Sequence, residues 1–158
     1  MTVLLGLALA GPSELGVAAG VAGVRTSAGH HPLELGVAAW YRKGLGSGLH
    51  VEAELWTASL SEPLVKVGTI ETRFVRPSVL VGWHGGTRAM KVGFSVGPSV
   101  TSISGGLGSN ALVRGGVRVK ADLRIPLGDK WFLVSHAGVA TRRFSGDVDL
   151  MAGLGKRF

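Results

Sequence analysis

Acidic and basic side chains recur at every second position along several stretches of the chain. Glu52 and Glu54 stand two residues apart, and Arg118, Lys120, Asp122 and Arg124 follow one another at the same spacing. Successive side chains of a β-strand point to opposite faces, so charges at this spacing share one face. Carboxylates that meet arginines in a confined space form ion pairs, whereas arginines in excess attract anions. The spacing therefore indicates either a salt-bridged interior or a pathway for anions.

Other residues that carry chemistry occur in patterns that predict no catalytic or metal site. His30 and His31 precede Pro32 in a turn-forming cluster, and two neighbouring histidines without a third ligand bind metal weakly. Ser135 and His136 are adjacent, so on a strand their side chains point to opposite faces. The chain has no cysteine, which excludes disulfides, thiol catalysis and cysteine-ligated zinc. We expect no enzymatic activity, no cofactor and no bound metal.

Seven turn-forming clusters divide the chain at nearly regular intervals. Glycine, proline, serine and asparagine recur in them, as in Gly44–Ser47 and Gly85–Arg88. They delimit eight segments, at residues 14–26, 33–43, 48–60, 67–84, 89–104, 112–126, 131–143 and 148–158. Most segments alternate apolar residues with polar or small ones, which is the pattern of a strand. The sequence predicts eight strands.

The sixth segment shows this alternation most clearly. Seven apolar or small residues from Val113 to Ile125 occupy one face, and five charged residues from Arg114 to Arg124 occupy the other. Across the segments the polar faces are rich in glycine, alanine and serine with isolated charges, which suits a crowded concave wall. We therefore expect an all-β, eight-stranded up-and-down antiparallel transmembrane β-barrel with its apolar face toward lipid. The seventh segment is apolar on both faces, and its orientation stays open.

Length and composition exclude several other classes of protein. The 158 residues fit one domain of about 100–200 residues. With 26 glycines and only 17% charged residues, the chain is neither a coiled coil nor a charge-rich disordered protein. No stretch approaches the about 18 charge-free apolar residues of a membrane-spanning helix. The net charge of +7 arises in residues 80–158, and because we expect these charges to point inward, we expect no nucleic-acid binding.

On this arrangement the lumen has an acidic wall and a basic wall. The first three strands contribute Glu14, Glu34, Glu52 and Glu54, and the next three contribute Arg76, Lys91, Arg114, Arg118, Lys120 and Arg124. Charges in a narrow lumen are costly unless they are paired, and an eight-stranded barrel is just wide enough for side chains to fill. We expect a largely plugged lumen, with an anion pathway as the alternative.

Four outward-facing aromatic residues fall at one end of the barrel if the chain starts and ends on the same side. They are Tyr41, Trp83, Trp131 and Phe158. Amphipathic rings are stable between water and lipid, so these residues are expected to form an interfacial girdle. The turns at this end are short, and we expect slightly longer loops at the opposite end.

Eight amphipathic strands, short turns on one side and a chain ending in Gly153-Leu-Gly-Lys-Arg-Phe158 resemble the small outer-membrane β-barrel family of Gram-negative bacteria. The resemblance implies a location in the bacterial outer membrane, contact with its lipid and insertion by the barrel assembly machinery. In that family a C-terminal aromatic residue preceded by alternating apolar residues is the assembly signal. Leu154 and Phe158 match that signal, and Lys156 departs from it. We expect a monomer.

Residues 1–12 form an apolar segment ahead of the barrel, which we place at residues 13–158. The segment contains Ala8-Leu9-Ala10 before Gly11, which resembles the end of a secretory signal peptide but lacks a basic start. A signal-peptide remnant and a first strand or apolar appendage both stay open.

The function predicted from these features is a structural or surface-interaction role through the outer loops. Three alternatives remain: a small anion-preferring pore, a lipid-modifying outer-membrane enzyme, and a barrel built or selected for folding with no natural ligand.

Overall fold

The computed structural model describes residues 11–26, 29–64, 68–105, 112–142 and 145–158. The chain forms eight β-strands: β1 (Ser13–Thr26), β2 (Gly29–Gly46), β3 (Leu49–Leu64), β4 (Gly68–Gly86), β5 (Lys91–Gly105), β6 (Leu112–Leu127), β7 (Trp131–Arg142) and β8 (Ser145–Arg157). Each is longer than the about 9–11 residues that a tilted strand needs to cross a bilayer. In the described ranges, no helix is long and apolar enough to span a membrane.

The strands close into one antiparallel barrel. Each strand pairs with the next in sequence, and β1 pairs with β8, where Glu14 lies opposite Arg157 and Ala22 opposite Asp149. Closure gives every strand a neighbour on both sides, which satisfies backbone groups that lipid cannot hydrogen-bond. The predicted eight-stranded up-and-down barrel is confirmed. Both ends of the barrel wall, at Ser13 and Arg157, lie at the end that carries the β2–β3, β4–β5 and β6–β7 turns, which we call the turn end. The opposite end is the loop end.

β2 and β3 extend farther toward the loop end than the sequence predicts. β2 begins at Gly29 instead of residue 33, and β3 continues to Leu64 instead of residue 60. His30 and His31, predicted in a loop, therefore lie in β2. The connections at this end, residues 27–28, 65–67, 106–111 and 143–144, lie outside the described residues, and so do the predicted longer loops. The local turn signal was wrong for β2 and β3 because pairing with the neighbouring strand outweighs it.

The β2–β3 turn at the turn end depends on backbone conformations that favour glycine. Gly46, Ser47 and Gly48 have φ of +96°, 52° and 81°, in the left-handed region. Glycine adopts such angles without steric cost, so the chain can reverse within two residues. The carbonyl of Gly48 then accepts a hydrogen bond from the His84 amide at 2.9 Å, which ties this turn to the end of β4.

The two faces of the wall differ sharply in composition. In β6, the Arg118 and Lys120 side chains are buried inside the barrel, whereas the neighbouring Val117 and Val119 are exposed outside. The same alternation continues in β7, which the sequence left unoriented: Phe132 and every second residue after it are buried. Apolar side chains cover the outside and polar ones line the lumen, as expected of a barrel whose solvent is lipid.

Glycines on the inner wall make room for long side chains. A Cβ on Gly138 would overlap the guanidinium of Arg118, and one on Gly155 would overlap the Phe132 ring. A Cβ on Gly93 would come within 2.7 Å of the Asp122 carboxylate. The small residues that the sequence places on the polar face therefore act as sockets, and the filled lumen depends on their lacking a side chain.

Candidate functional site: a charged lumen

Arg118 forms the centre of the lumen. Its side chain is fully buried, and both terminal nitrogens donate to Asp149, at 2.6 and 3.0 Å. Its Nε donates to Glu54 Oε1 at 3.1 Å. The planar guanidinium thus bridges carboxylates from β3 and β8 in the fork geometry that only arginine provides. One side chain from β6 therefore links walls that are far apart in sequence.

Toward the loop end, Arg76 continues the chain of ion pairs. Its Nη2 donates to Asp149 at 3.2 Å, and its Nη1 pairs with Asp147. Asp147 in turn pairs with Arg142, at the end of β7. The Arg76 guanidinium also lies over the Trp56 ring, 4.3 Å from its centroid, a cation–π contact that stabilises a desolvated charge.

Toward the turn end, Lys120 and Arg42 link Glu54 to Asp122 through Glu52. Lys120 Nζ donates to Glu54 at 2.9 Å and also pairs with Glu52. Arg42 Nε donates to Glu52 at 2.8 Å, and its Nη2 donates to Asp122 at 3.0 Å. Each carboxylate here meets at least two cations, so none of these charges is buried without a partner.

Arg124 closes the series at the turn end. Its Nε donates to Asp122 at 2.7 Å, and its Nη1 donates to Glu14 at 2.6 Å. The second Glu14 oxygen accepts from Arg157 Nη2 at 2.9 Å. Ion pairs therefore run without a break from Arg157, which is partly exposed at the turn end, to Arg142 near the loop end.

We call this set the lumen network. Among the described residues it contains six carboxylates and seven cationic side chains: Glu14, Glu52, Glu54, Asp122, Asp147 and Asp149 with Arg42, Arg76, Arg118, Lys120, Arg124, Arg142 and Arg157. All but Arg157 are buried. The network contains nearly equal numbers of positive and negative charges, so its net charge is close to zero. Its side chains fill the interior of the barrel.

Apolar clusters lie beside the network. Trp40, Phe132 and Val134 pack together, with the Trp40 and Phe132 ring centroids 5.8 Å apart. A second cluster contains Trp56 and Phe74. These rings exclude water from the neighbouring ion pairs, which strengthens their electrostatic attraction.

The structure brings together seven of the ten charges predicted for the lumen and adds others. The predicted members are Glu14, Glu52, Glu54, Arg76, Arg118, Lys120 and Arg124. Lys91 and Arg114 are half-buried on the inner face, and neither forms an ion pair within the part of the chain that the structure describes. Glu34 is half-buried in β2.

The expected separation into an acidic and a basic wall is wrong. Carboxylates also come from the later strands, as Asp122, Asp147 and Asp149, and an arginine comes from the early strands, as Arg42. Arg42 and Asp122 share the inner face that the alternation assigns, and Asp149 alternates with outward Leu150. That alternation could have found them. The sequence predicts Asp147 in a turn, just before the eighth segment. In the structure β8 begins at Ser145, so Asp147 lies in the wall.

The four girdle residues all lie on the outside of the wall. Tyr41 is 46% exposed, Trp83 53%, Trp131 50% and Phe158 68%. Their polar groups contact the turn end: Tyr41 Oη donates to Ser13 Oγ at 3.1 Å, and Trp83 Nε1 donates to the Ser47 carbonyl at 3.2 Å. An apolar ring with a bonded polar edge is the arrangement typical of a membrane interface.

The residues of the predicted assembly signal also face outward. Leu154 is 45% exposed in β8, and Phe158 follows the strand. Lys156, which departs from the apolar alternation, lies with its Nζ 5.4 Å from the Trp131 ring centroid and 5.2 Å from that of Phe158. These cation–π contacts accommodate a lysine on the outer face.

A serine–histidine pair that the sequence did not reveal lies near the turn end. His50 Nε2 and Ser95 Oγ are 3.0 Å apart, and His50 Nδ1 is 3.3 Å from His84 Nδ1. A base within hydrogen-bond reach of a hydroxyl is the geometry of nucleophilic catalysis. Ser95 and His50 are, however, fully buried inside the wall, so a substrate cannot approach the hydroxyl.

No protein-family model matches the chain, and no curated protein sequence matches it. Several solved structures are similar to the chain. Neisserial surface protein A (NspA) is similar with a TM-score of 0.78 at 12% identity, over 92% of this chain and 97% of that one. Ail, the attachment invasion locus protein of Yersinia pestis, is similar with a TM-score of 0.72 at 14% identity, over 94% and 99%. The N-terminal β-barrel domain of Pseudomonas aeruginosa OprF gives 0.62 at 14% identity, over 94% and 99%.

These similarities cover nearly the whole of each chain, although few residues are shared. They agree with the closed ladder, the apolar outer face and the polar interior described above. The chain has the fold of the small eight-stranded β-barrels of the Gram-negative outer membrane.

Proposed function

We propose that this protein is a small integral protein of the Gram-negative outer membrane, with a lumen closed by its own ion pairs and a structural or surface-interaction role. Its outer face supports the membrane location. Valines, leucines and aromatic residues, such as Val79 at 55% and Leu150 at 57% exposure, cover the wall from strand to strand. A surface of this extent far exceeds the few hundred Å² of apolar patch usual on soluble monomers, and it fits lipid.

The unbroken lumen network is the observation that carries the closed-lumen proposal. An ion that entered the barrel would have to displace guanidinium–carboxylate pairs such as Arg118–Asp149, which are buried and bonded through two nitrogens. Removing one partner of a buried pair costs about 3–5 kcal/mol. The network therefore acts as a plug, and steady conductance is not expected.

The loop end supports the surface role. β2 and β4, with 18 and 19 residues, exceed the length that crosses a bilayer, so their extra residues would project as a rigid strand wall. Neisserial surface protein A is named for a surface location, and a structure of Ail contains a heparin analogue. For this chain we assign the surface contact to the projecting strand ends.

We assign no catalytic activity to the barrel. The Ser95–His50 pair has suitable spacing, but both residues are buried. Ser135 and His136 lie on opposite faces of β7, with His136 buried in the lumen. In the described part of the chain, neither pair offers a nucleophile to the lipid-facing rim.

Conductance in planar bilayers tests the plug. The wild-type protein is expected to give no steady open channel. The double change Glu52→Gln and Glu54→Gln removes the carboxylates that hold Lys120, and it is expected to lower the unfolding temperature and to produce anion-preferring conductance. The matched control, Glu71→Gln with Asp129→Asn, removes two exposed carboxylates and should stay silent. Stable wild-type conductance would overturn the plug in favour of an anion pore.

Cysteine labelling in intact cells tests the surface role, because the chain has no native cysteine. Glu71→Cys places a thiol on the exposed face of β4 near the loop end, and Asp129→Cys places one in the β6–β7 turn. A membrane-impermeant maleimide is expected to label the first position and not the second. Labelling at Asp129→Cys alone would place the turn end outside and would overturn the assignment of the surface contact.

A further inference from the structure

A pocket of about 310 Å³ opens at the turn end of the barrel, beside the β6–β7 turn. Five cationic side chains and a single carboxylate line it: Arg88, Lys91, Arg124, Lys130 and Arg157, with Asp129. Trp131 of the girdle and Phe132 of the lumen complete the wall. We call this pocket the cationic mouth. It lies where the lumen network ends and the interfacial aromatic girdle begins.

Two of these cations face each other directly. Lys91 in β5 and Arg124 in β6 are cross-strand partners, and both side chains point into the barrel. Like charges opposite each other on one face of a sheet are destabilising. A negative charge placed between the two cations would offset this repulsion.

Two of the three carboxylates near the mouth, Glu14 and Asp122, are already paired, and the third, Asp129, is exposed and forms no ion pair among the described residues. One oxygen of Glu14 accepts from Arg124 and the other from Arg157. Asp122 is shared between Arg124 and Arg42. Neither carboxylate is left for Lys91, so the mouth has more positive charge than its neighbours neutralise.

One hydrogen-bond donor at the mouth also has no acceptor among the described residues. Arg124 is only 2% exposed, its Nε and Nη1 are bonded to Asp122 and Glu14, and its Nη2 has no hydrogen-bond partner among the described residues. A buried guanidinium nitrogen without an acceptor is destabilising, and more so because the group is charged. Among the described arginines with an unpaired buried nitrogen, only Arg124 lines the mouth, so an acceptor bound there would lie next to a donor that the chain leaves unpaired.

We infer that the cationic mouth binds a phosphate group. A phosphate offers several acceptor oxygens, which suits the free nitrogen of Arg124 together with the point charges of Lys91 and Lys130. Two sources share this chemistry. One is the headgroup of a phospholipid whose chains run along the outer wall below Trp131, and the other is free phosphate that enters from the aqueous phase.

Titration of the full chain in maltoside micelles tests the inference, because this detergent has neither charge nor phosphate. The readout is the NMR shift of the Arg124 Nε–H and of the Lys130–Phe132 amides. One arm adds inorganic phosphate, with sodium chloride at equal ionic strength as reference. A second arm adds dihexanoyl phosphatidylglycerol. We expect a saturable shift with at least one phosphate probe and none with chloride.

The double change Lys91→Gln and Lys130→Gln should weaken the apparent affinity by about tenfold or more, since it removes two charged contacts to the phosphate. Both residues lie outside the lumen network, so the barrel should fold. The matched control, Arg73→Gln with Arg114→Gln, removes two charges nearer the loop end and should change the affinity by less than about twofold. Saturation at lower concentration by the lipid identifies a headgroup site, and saturation by inorganic phosphate identifies a free-anion site. No saturable shift with either probe, or an unchanged affinity in the mouth variant, would overturn the inference.

Discussion

The middle of the lumen and the cationic mouth contain the same kinds of side chain in different proportions. In the middle, Arg118 meets Glu54 and Asp149, and Asp149 also meets Arg76, so each charge has partners of opposite sign. Five cations and one carboxylate line the mouth; Arg124 and Arg157 are paired with Glu14, whereas Arg88, Lys91 and Lys130 form no ion pair among the described residues. We propose that internal balance closes the middle of the barrel to ions and that the excess of positive charge lets the mouth bind an anion. The balance of charge around an arginine, and not its residue type, then decides whether it only stabilises the fold or also contacts a ligand.

Replacing Arg118 with valine is expected to have the largest effect. It removes the bridge between Glu54 and Asp149 and leaves two carboxylates with fewer partners, which should lower the free energy of unfolding by about 3–5 kcal/mol. Urea unfolding in lipid vesicles measures it. Arg114→Val, in the same strand but outside the ion pairs, should cost less than about 1 kcal/mol. Equal losses would show that the charges in the middle are no more tightly coupled than those at its ends.

The energetic cost of a charge on the outer face should depend on its depth in the bilayer. Val119→Arg puts a cation on the lipid side next to Arg118, at a cost of about 2–4 kcal/mol near the midplane. Leu127→Arg puts the same charge at the turn end of β6, level with the girdle, where the cost falls to about 0–1 kcal/mol. Insertion into vesicles, followed by tryptophan fluorescence, measures both. An equal cost at the two positions would mean that the belt is not centred on the bilayer.

A methyl group in an inner-wall socket should disturb the network through packing alone. Gly138→Ala places a Cβ where the Arg118 guanidinium lies, so the arginine must shift away from Asp149, at a cost of about 1–3 kcal/mol. Gly115→Ala adds the same group on the outside of β6, where no heavy atom lies within 4 Å, and should change stability by less than about 0.5 kcal/mol. Unfolding midpoints of the two variants give the comparison. An unchanged unfolding midpoint for Gly138→Ala would show that Arg118 has room to move.

The fold could be predicted because its signal is local. Alternation such as Val117–Arg118–Val119 assigns each residue to a face without knowledge of its partners, and closure follows from eight such strands. The ends of β2 and β3 could not be placed, because their extension depends on cross-strand pairing and not on the residues themselves.

The pairing inside the lumen lies beyond sequence reasoning for a different reason. The alternation places Glu52 and Glu54 inside with the basic residues, and the structure brings both to Lys120. Which arginine meets Asp149 depends on barrel closure, since Arg118 and Asp149 are 31 residues apart and come from strands separated by β7. The Ser95–His50 pair and the free nitrogen of Arg124 are likewise products of register across the barrel.

The smallest effect on stability is expected at the C-terminus. Phe158 is 68% exposed, and its contact with Lys156 is a surface cation–π interaction worth about 0.5–1 kcal/mol. Deleting Phe158 should therefore leave spontaneous folding into detergent nearly unchanged, as measured by the gel shift between unheated and boiled samples. We propose that the same residue is the assembly signal, so the deletion should sharply lower the amount of folded barrel in cells. Lys156→Gln removes the same contact while keeping the aromatic terminus, and it should preserve assembly in cells. Equal losses in detergent and in cells would show that Phe158 acts by packing alone, because only recognition by an assembly partner separates the two settings.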